Sequence, residues 1–268
     1  MSNRYRFPFA VAFWLFCGAT LADSHRLETT PTGWWWYTNV TEAQINTIVT
    51  GSGARLIDIE VLSADPLRFT AAFVHNSGVY YEPTWWHPAA TGAVIDSMLA
   101  ANDARLIDLE WYDTAAGPRL ATIMVDNTGR DAKNWWWYVG IDDASLGDAL
   151  ADNEARLVDI ESFHDGGLKY AAIMVDNTGL DATAWWYFMG APASVIGASI
   201  SGNDSRLLEF EVHDPVADTY DAILIPADGS SAINWWWYFD ITPEQLNAHI
   251  NQNGARITDI DTYLDLSL

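Results

Sequence analysis

One feature constrains this chain above all others: it repeats. Tryptophan-rich blocks recur at Trp34-Trp35-Trp36-Tyr37, Thr84-Trp85-Trp86-His87, Trp135-Trp136-Trp137-Tyr138, Trp185-Trp186-Tyr187-Phe188 and Trp235-Trp236-Trp237-Tyr238, at spacings of 50, 51, 50 and 50 residues. In all five cases an arginine follows 21 residues after the block begins: Arg55, Arg105, Arg156, Arg206 and Arg256. These arginines open the runs ARLIDIE, ARLIDLE, ARLVDIE, SRLLEFE and ARITDID. A second apolar run follows in four repeats, and a glycine (Gly78, Gly129, Gly179, Gly229) comes six residues before the next block. A period of this length marks a modular fold in which each unit buries its apolar face against its neighbours.

Within one period the pattern changes. Between the Trp block and the arginine, apolar residues recur at i, i+3 and i+4, as in Ile45, Ile48, Val49 and Ile95, Met98, Leu99. That is one buried stripe of a short helix. Thr41 with Gln44, and Thr242 with Gln245, form the pattern of a capping box, and Pro243 suits the first helical position. The arginine run is rich in β-branched residues and predicts a strand. The second run is apolar on both faces and predicts a central strand. The Trp block predicts a third. Asp126-Asn127-Thr128-Gly129 and Asp176-Asn177-Thr178-Gly179 predict turns. The expected fold is an α+β tandem repeat: a three-stranded antiparallel meander plus one helix per unit, with the helix crossing to the next unit. Units start near residues 34, 84, 135 and 185, and a partial unit starts at 235, within a single domain spanning 34–268. The first Trp strand and the last arginine strand are left as orphans. They either pair and close a propeller-like ring or fray at the ends of an open solenoid.

The start of the chain reads as a signal peptide: Arg4 and Arg6, an apolar stretch over residues 7–16, and small residues ending at Ala22. A lead-in of residues 23–33 would follow. The apolar stretch is far short of the ~20 residues that span a bilayer, so no membrane span is expected. The expected location is secreted or periplasmic. Cys17 is the only cysteine, so a chain cut after Ala22 has no thiol for a disulfide, a metal or catalysis. Loss of Arg4 and Arg6, with no acidic residue lost, moves the formal charge from −23 to −25. Such a surface repels phosphate backbones, so nucleic acid is not an expected partner.

Thirteen of the 15 tryptophans lie in the repeat blocks, and their bulk requires most of them to pack. Strand alternation points the middle rings, Trp35, Trp85, Trp136, Trp186 and Trp236, away from the rings on either side of them. If that face meets solvent it makes an aromatic platform for sugars or extended peptides, and these five are the candidate ligand-binding residues. The arginine strands carry two acidic series two residues apart. One is Asp58, Asp108, Asp159, Glu209 and Asp259; the other is Glu60, Glu110, Glu161, Glu211 and Asp261. Acids inside apolar strands need partners. The first series is therefore read as structural carboxylates, bonded to indole N–H groups or to arginines of adjacent strands. The competing reading turns the acids toward a ligand or cation. Arg55 and Asp58 are three residues apart, which places them on opposite faces of an ideal strand.

A glycoside hydrolase needs two carboxyl groups at a set separation. Here the acids recur in every unit, which favours a scaffold. The DNTG loops lack the third spaced acid and distal glutamate of a calcium loop, so neither a metal set nor a cofactor is assigned. The histidines form no set, and HExxH, GxSxG and P-loop patterns are absent from the sequence.

The ARLVDIE run, the YAAIMVDNTG run and the WWWY block together resemble the bacterial tandem repeat family, whose repeats are similar to those in the N-terminal domain of fungal polyglycine hydrolases. The resemblance covers about residues 33–268. It implies the fold and a recognition or scaffold role. In those hydrolases catalysis belongs to a separate β-lactamase-like domain with an SxxK serine. Neither lysine here, Lys133 or Lys169, follows a serine at that spacing, so no catalytic residue carries over. The expected function is an exported, non-catalytic module that binds an extracellular protein or carbohydrate, or acts as a scaffold. The alternative is a secreted carboxylate-dependent hydrolase.

Overall fold

The computed structural model describes residues 33–129, 132–179, 182–228 and 233–262. The signal-peptide reading and its cleavage point lie outside these residues. Among them are twelve strands and five α-helices. The first unit contains β1 (Trp34–Val40), α1 (Glu42–Ser52), β2 (Ala54–Ala64) and β3 (Leu67–His75). The second contains β4 (Thr84–Ala90), α2 (Gly92–Asn102), β5 (Ala104–Tyr112) and β6 (Arg119–Asp126). The third contains β7 (Trp135–Ile141), α3 (Asp143–Asp152), β8 (Ala155–His164) and β9 (Leu168–Asp176). The fourth contains β10 (Trp186–Ala191), α4 (Ala193–Asn203), β11 (Ser205–Asp214) and β12 (Thr219–Pro226). The fifth holds α5 (Pro243–Asn253) and no strand among its described residues. No described helix is long and apolar enough to cross a membrane.

Each of the four complete units is a three-stranded antiparallel sheet with a helix, in the order β1-β3-β2 and its equivalents. The second apolar run is central, as its two-sided apolar character requires. The connectivity differs from a consecutive meander. Each central strand pairs with the Trp strand that precedes it in its own unit, and the turn after it leads to a new sheet. Two strands that both run antiparallel to a common neighbour are parallel to each other, and a parallel connection needs a crossover. The helix supplies it inside the unit. β1 is therefore no orphan.

The helix ends follow from local chemistry. Thr41 and Thr242 both close capping boxes with Gln44 and Gln245, and Pro243 opens α5. Gly53 and Gly254 end α1 and α5 in the left-handed conformation, at φ 59° and 60°. In the loops after the central strands, Asn76, Asn127 and Asn177 each accept from one backbone N–H and donate to one carbonyl six residues on. Asp126 and Asp176 accept from the N–H of Thr128 and Thr178. These loops are thus built as turns.

Burial follows the two faces of each sheet. On one face of the third unit, Trp136, Leu157, Ile160 and Met174 pack under Leu146 and Leu150 of α3. On the other, Ala171 and Ile173 join Trp135 and Trp137 in a cluster with Leu99, Leu106 and Leu109 of the second unit. Each unit thus lays one face on the helix-covered face of the unit before it. The first unit does the same with the fifth: Trp34, Trp36, Ala72 and Val74 pack with Leu246, Ile250 and Ile257.

Candidate functional site

The arginine strands depart from an ideal strand at one repeated position. Register shifts fall between Leu56 and Asp58, Leu106 and Asp108, Leu157 and Asp159, and Leu207 and Glu209. One extra residue there flips the side-chain parity beyond it. Arg55 lies opposite Val74, Asp58 opposite Ala72 and Glu60 opposite Thr70. Alternate residues of β3 share a face, so arginine and both acids lie on one face. The expectation that Arg55 and Asp58 face opposite ways is corrected by this bulge.

The bulge brings the two acidic series together across units. Asp108 Oδ2 accepts from the Ile59 N–H at 2.9 Å, and Asp58 Oδ2 accepts from the Ile260 N–H at 2.8 Å. These are equivalent bonds, one joining the second unit to the first and the other joining the first to the fifth. Asp261 accepts in the same manner from the Val212 N–H of the fourth unit. The partners expected for the first series were indole N–H groups or arginines; for Asp58 and Asp108 a neighbouring backbone N–H serves. The indole N–H groups of Trp86 and Trp36 instead donate to Asn46 Oδ1 and Asn247 Oδ1, the fifth residues of α1 and α5.

Burial pushes Asp58, Asp108, Asp159 and Glu209 well above the usual carboxylate range, and neighbouring carboxylates push in the same direction. Asp58 feels Asp259 and Asp108, and Asp108 feels Asp159. Asp259 shares a close group with Glu209 and Glu211. The same causes raise Glu60, Glu110, Glu161 and Glu211. Asp261 is raised by burial, against the pull of the Val212 N–H. Glu60, Glu211 and Asp261 place one oxygen each within 4.8 Å of one another, and so do Glu110, Glu161 and Glu211. The sequence registers these acids as two series, but not their convergence, because that depends on the bulge and on how neighbouring units pack.

The five candidate ligand-binding tryptophans divide. Trp35, Trp85, Trp136 and Trp186 are half-buried and pack into the hydrophobic clusters of their own units. Trp236 is 46% exposed, with Tyr238 and Phe239 beside it also exposed. The flanking rings, such as Trp135 and Trp137, pack toward the preceding unit. The alternation expected along the block is present.

One constellation breaks the repeat. Asp221 stands where the other central strands have Thr70, Ala121 and Ala171. It is fully buried, and its Oδ1 lies 2.9 Å from His213 Nδ1 and accepts from the Gly190 N–H at 2.7 Å. The bond to Asp221 raises the His213 imidazole above its ordinary range. Gly190 is required twice over: its φ is +58°, and a Cβ there would meet the imidazole at 3.1 Å. In the sequence His213 lies one position out of register with His164, so the repeat does not pick it out. That irregularity was the available signal.

No known family model matches the chain. No curated protein matches it either.

Proposed function

We propose that this chain is an exported, non-catalytic repeat module that binds an extracellular glycan or protein through its aromatic blocks. The observation that carries the reading is repetition at the level of geometry. The same bulge, the same pair of acids and the same half-buried aromatic strand occur in each of the four complete units. A single active site would set one unit apart, whereas a scaffold that offers equivalent surfaces keeps them alike. The resemblance to the bacterial tandem repeats agrees with a recognition role. The basic start, short apolar stretch and Ala22 support export, which N-terminal sequencing of protein from its native host tests: a retained Met1 would refute it.

The units are further proposed to close into a five-membered propeller-like ring. Support comes from contacts between the fifth and first units that copy those between the first and second. Trp36 reaches Asn247 as Trp86 reaches Asn46, and Ile260 donates to Asp58 as Ile59 donates to Asp108.

A glycan and peptide array probed with the purified protein tests the binding reading. Retention of an extended glycan or peptide, lost in Trp236→Ala, is the expected result. An array with no retained ligand overturns it. The second reading, a carboxylate-dependent hydrolase, is favoured by the His213–Asp221 pair, which among the described residues occurs in one unit only. Turnover of an array glycan that disappears in His213→Ala would establish that reading in place of the first.

A further inference from the structure

The arginine runs of the five units contain ten acids in their two series and five arginines. Full pairing of every arginine would leave a formal excess of five negative charges among them. Glu60, Glu110 and Glu211 are 5%, 6% and 4% exposed, so water cannot spread that charge. Buried carboxylates in such a group either stay protonated or share a cation.

Two observations favour the cation. First, the spacing suits one. Oxygens bound to a single calcium-sized ion sit roughly 2.3–2.6 Å from it, so no two can be more than about 5 Å apart. The triads Glu60–Glu211–Asp261 and Glu110–Glu161–Glu211 both meet that limit, with all their oxygens within 4.8 Å, and Glu211 belongs to both. Second, buried oxygens beside the triads lack partners. Asp58 and Asp159 are 6% and 5% exposed, and each lies two residues from a triad member on the same sheet face. Asp58 Oδ1 and Asp159 Oδ2 accept no hydrogen bond among the described residues. A buried oxygen of this kind costs free energy unless something positive or protic meets it.

We propose that Glu60, Glu110, Glu161, Glu211 and Asp261 form a buried site for a hard divalent cation of the calcium class, with Glu211 as the shared ligand and Asp58 and Asp159 lending negative charge beside it. All five proposed ligands are carboxylates. Oxygen-only sets select calcium and magnesium over zinc or copper, which favour nitrogen and sulfur. Magnesium keeps several waters in a tight octahedron, whereas a crowd of carboxylates from several strands offers the larger and less regular shell that calcium accepts. The ion would tie neighbouring units together where their like charges otherwise repel, and this role does not depend on the binding reading above.

The test uses the purified full chain, stripped with a chelator and titrated with calcium chloride alone, followed by calorimetry and thermal melts at neutral pH. Saturable binding is expected, together with a rise in Tm of about 5–10 °C at a hundredfold excess of calcium over its Kd. Glu211→Gln should weaken calcium binding about tenfold or more, because it removes a charge common to both triads. Asp148→Asn, at an exposed position on α3, should leave it unchanged. Glu110→Gln provides a second variant if Glu211→Gln does not fold. Absence of binding heat and an unchanged Tm in the parent protein would overturn the proposal, since the carboxylates would then be held by protons. Binding of undiminished strength in both Glu211→Gln and Glu110→Gln would overturn it as well, by locating the ion elsewhere on this acidic chain.

Discussion

The two outer strands of each sheet present opposite solutions to one problem. The Trp strand carries its bulk on both faces and sends its polar atoms outward: the indole N–H groups of Trp86 and Trp36 reach asparagines on the helices of the first and fifth units. The arginine strand carries its polar groups inward, with Arg55, Asp58 and Glu60 all buried on one face. Along the Trp strand, burial of rings dominates and hydrogen bonds add little. Along the arginine strand the hydrophobic term is offset by crowded carboxylates, and stability depends on what neutralises them. The same two strands border the same central strand, so this difference comes from side chains and from one bulge rather than from the ladder.

The largest expected effect tests the inner side of this contrast. Folding raises the affinity of the buried acids for protons, so in chelator the folded state holds more protons than the unfolded chain above about pH 4. Stability should then fall as pH rises from about 4 through the raised folded values, by up to about 1.4 kcal/mol per pH unit for each carboxylate that stays protonated only when folded. Urea melts between pH 4 and pH 8 in chelator measure it. A flat profile would mean that the acids are neutralised within the chain.

Trp136→Ala probes the outer side. The ring packs with Leu157 and Met174 under α3. Its removal should cost about 3 kcal/mol, at the lower end for large aromatics because the ring is half-buried. A melt indistinguishable from the parent would show that these rings serve the surface rather than the core.

His213→Ala tests the unit in which both strategies meet. The substitution leaves Asp221 buried without its imidazole and should cost about 2 kcal/mol. Because folding raises the His213 pKa, its contribution should be fully present below about pH 6.5 and be lost as pH rises through the higher folded value. The gap between parent and variant melts should therefore be wider at pH 5.5 than at pH 9. A constant gap would assign the loss to packing.

The smallest expected effect concerns the asparagines that receive the indoles. Asn46→Ala and Asn247→Ala should each cost under about 1 kcal/mol, since the bonds are exposed. Equal losses would mean that the fifth unit holds the first as firmly as the first holds the second. A loss in Asn46→Ala alone would break the ring reading.

Much of the architecture was legible because it is local or periodic. The amphipathic helices, the capping boxes at Thr41 and Thr242, the central position of the apolar run and the DNTG turns all follow from residues within one unit. The sheet connectivity was not. A turn of four residues signals a reversal equally well within a sheet or between two sheets, and only pairing with distant residues distinguishes them. The acidic series were visible as a pattern, and their burial could be anticipated from the Ile, Leu and Val around them. Their common face with Arg55 could not be read, because ideal strand parity fails at a bulge that no residue in LIDI announces.

What the sequence determined by itself is therefore the repeat, the type of each element and the residues that recur at each position, since these depend on spacing, propensity and caps within about fifty residues. Tertiary structure alone decided which Trp strand joins which sheet, that ten acids from five units converge, and that His213 meets Asp221. Those outcomes depend on how one unit's face fits the next, where side chains far apart in the chain compete for the same buried space and no local preference selects the winner.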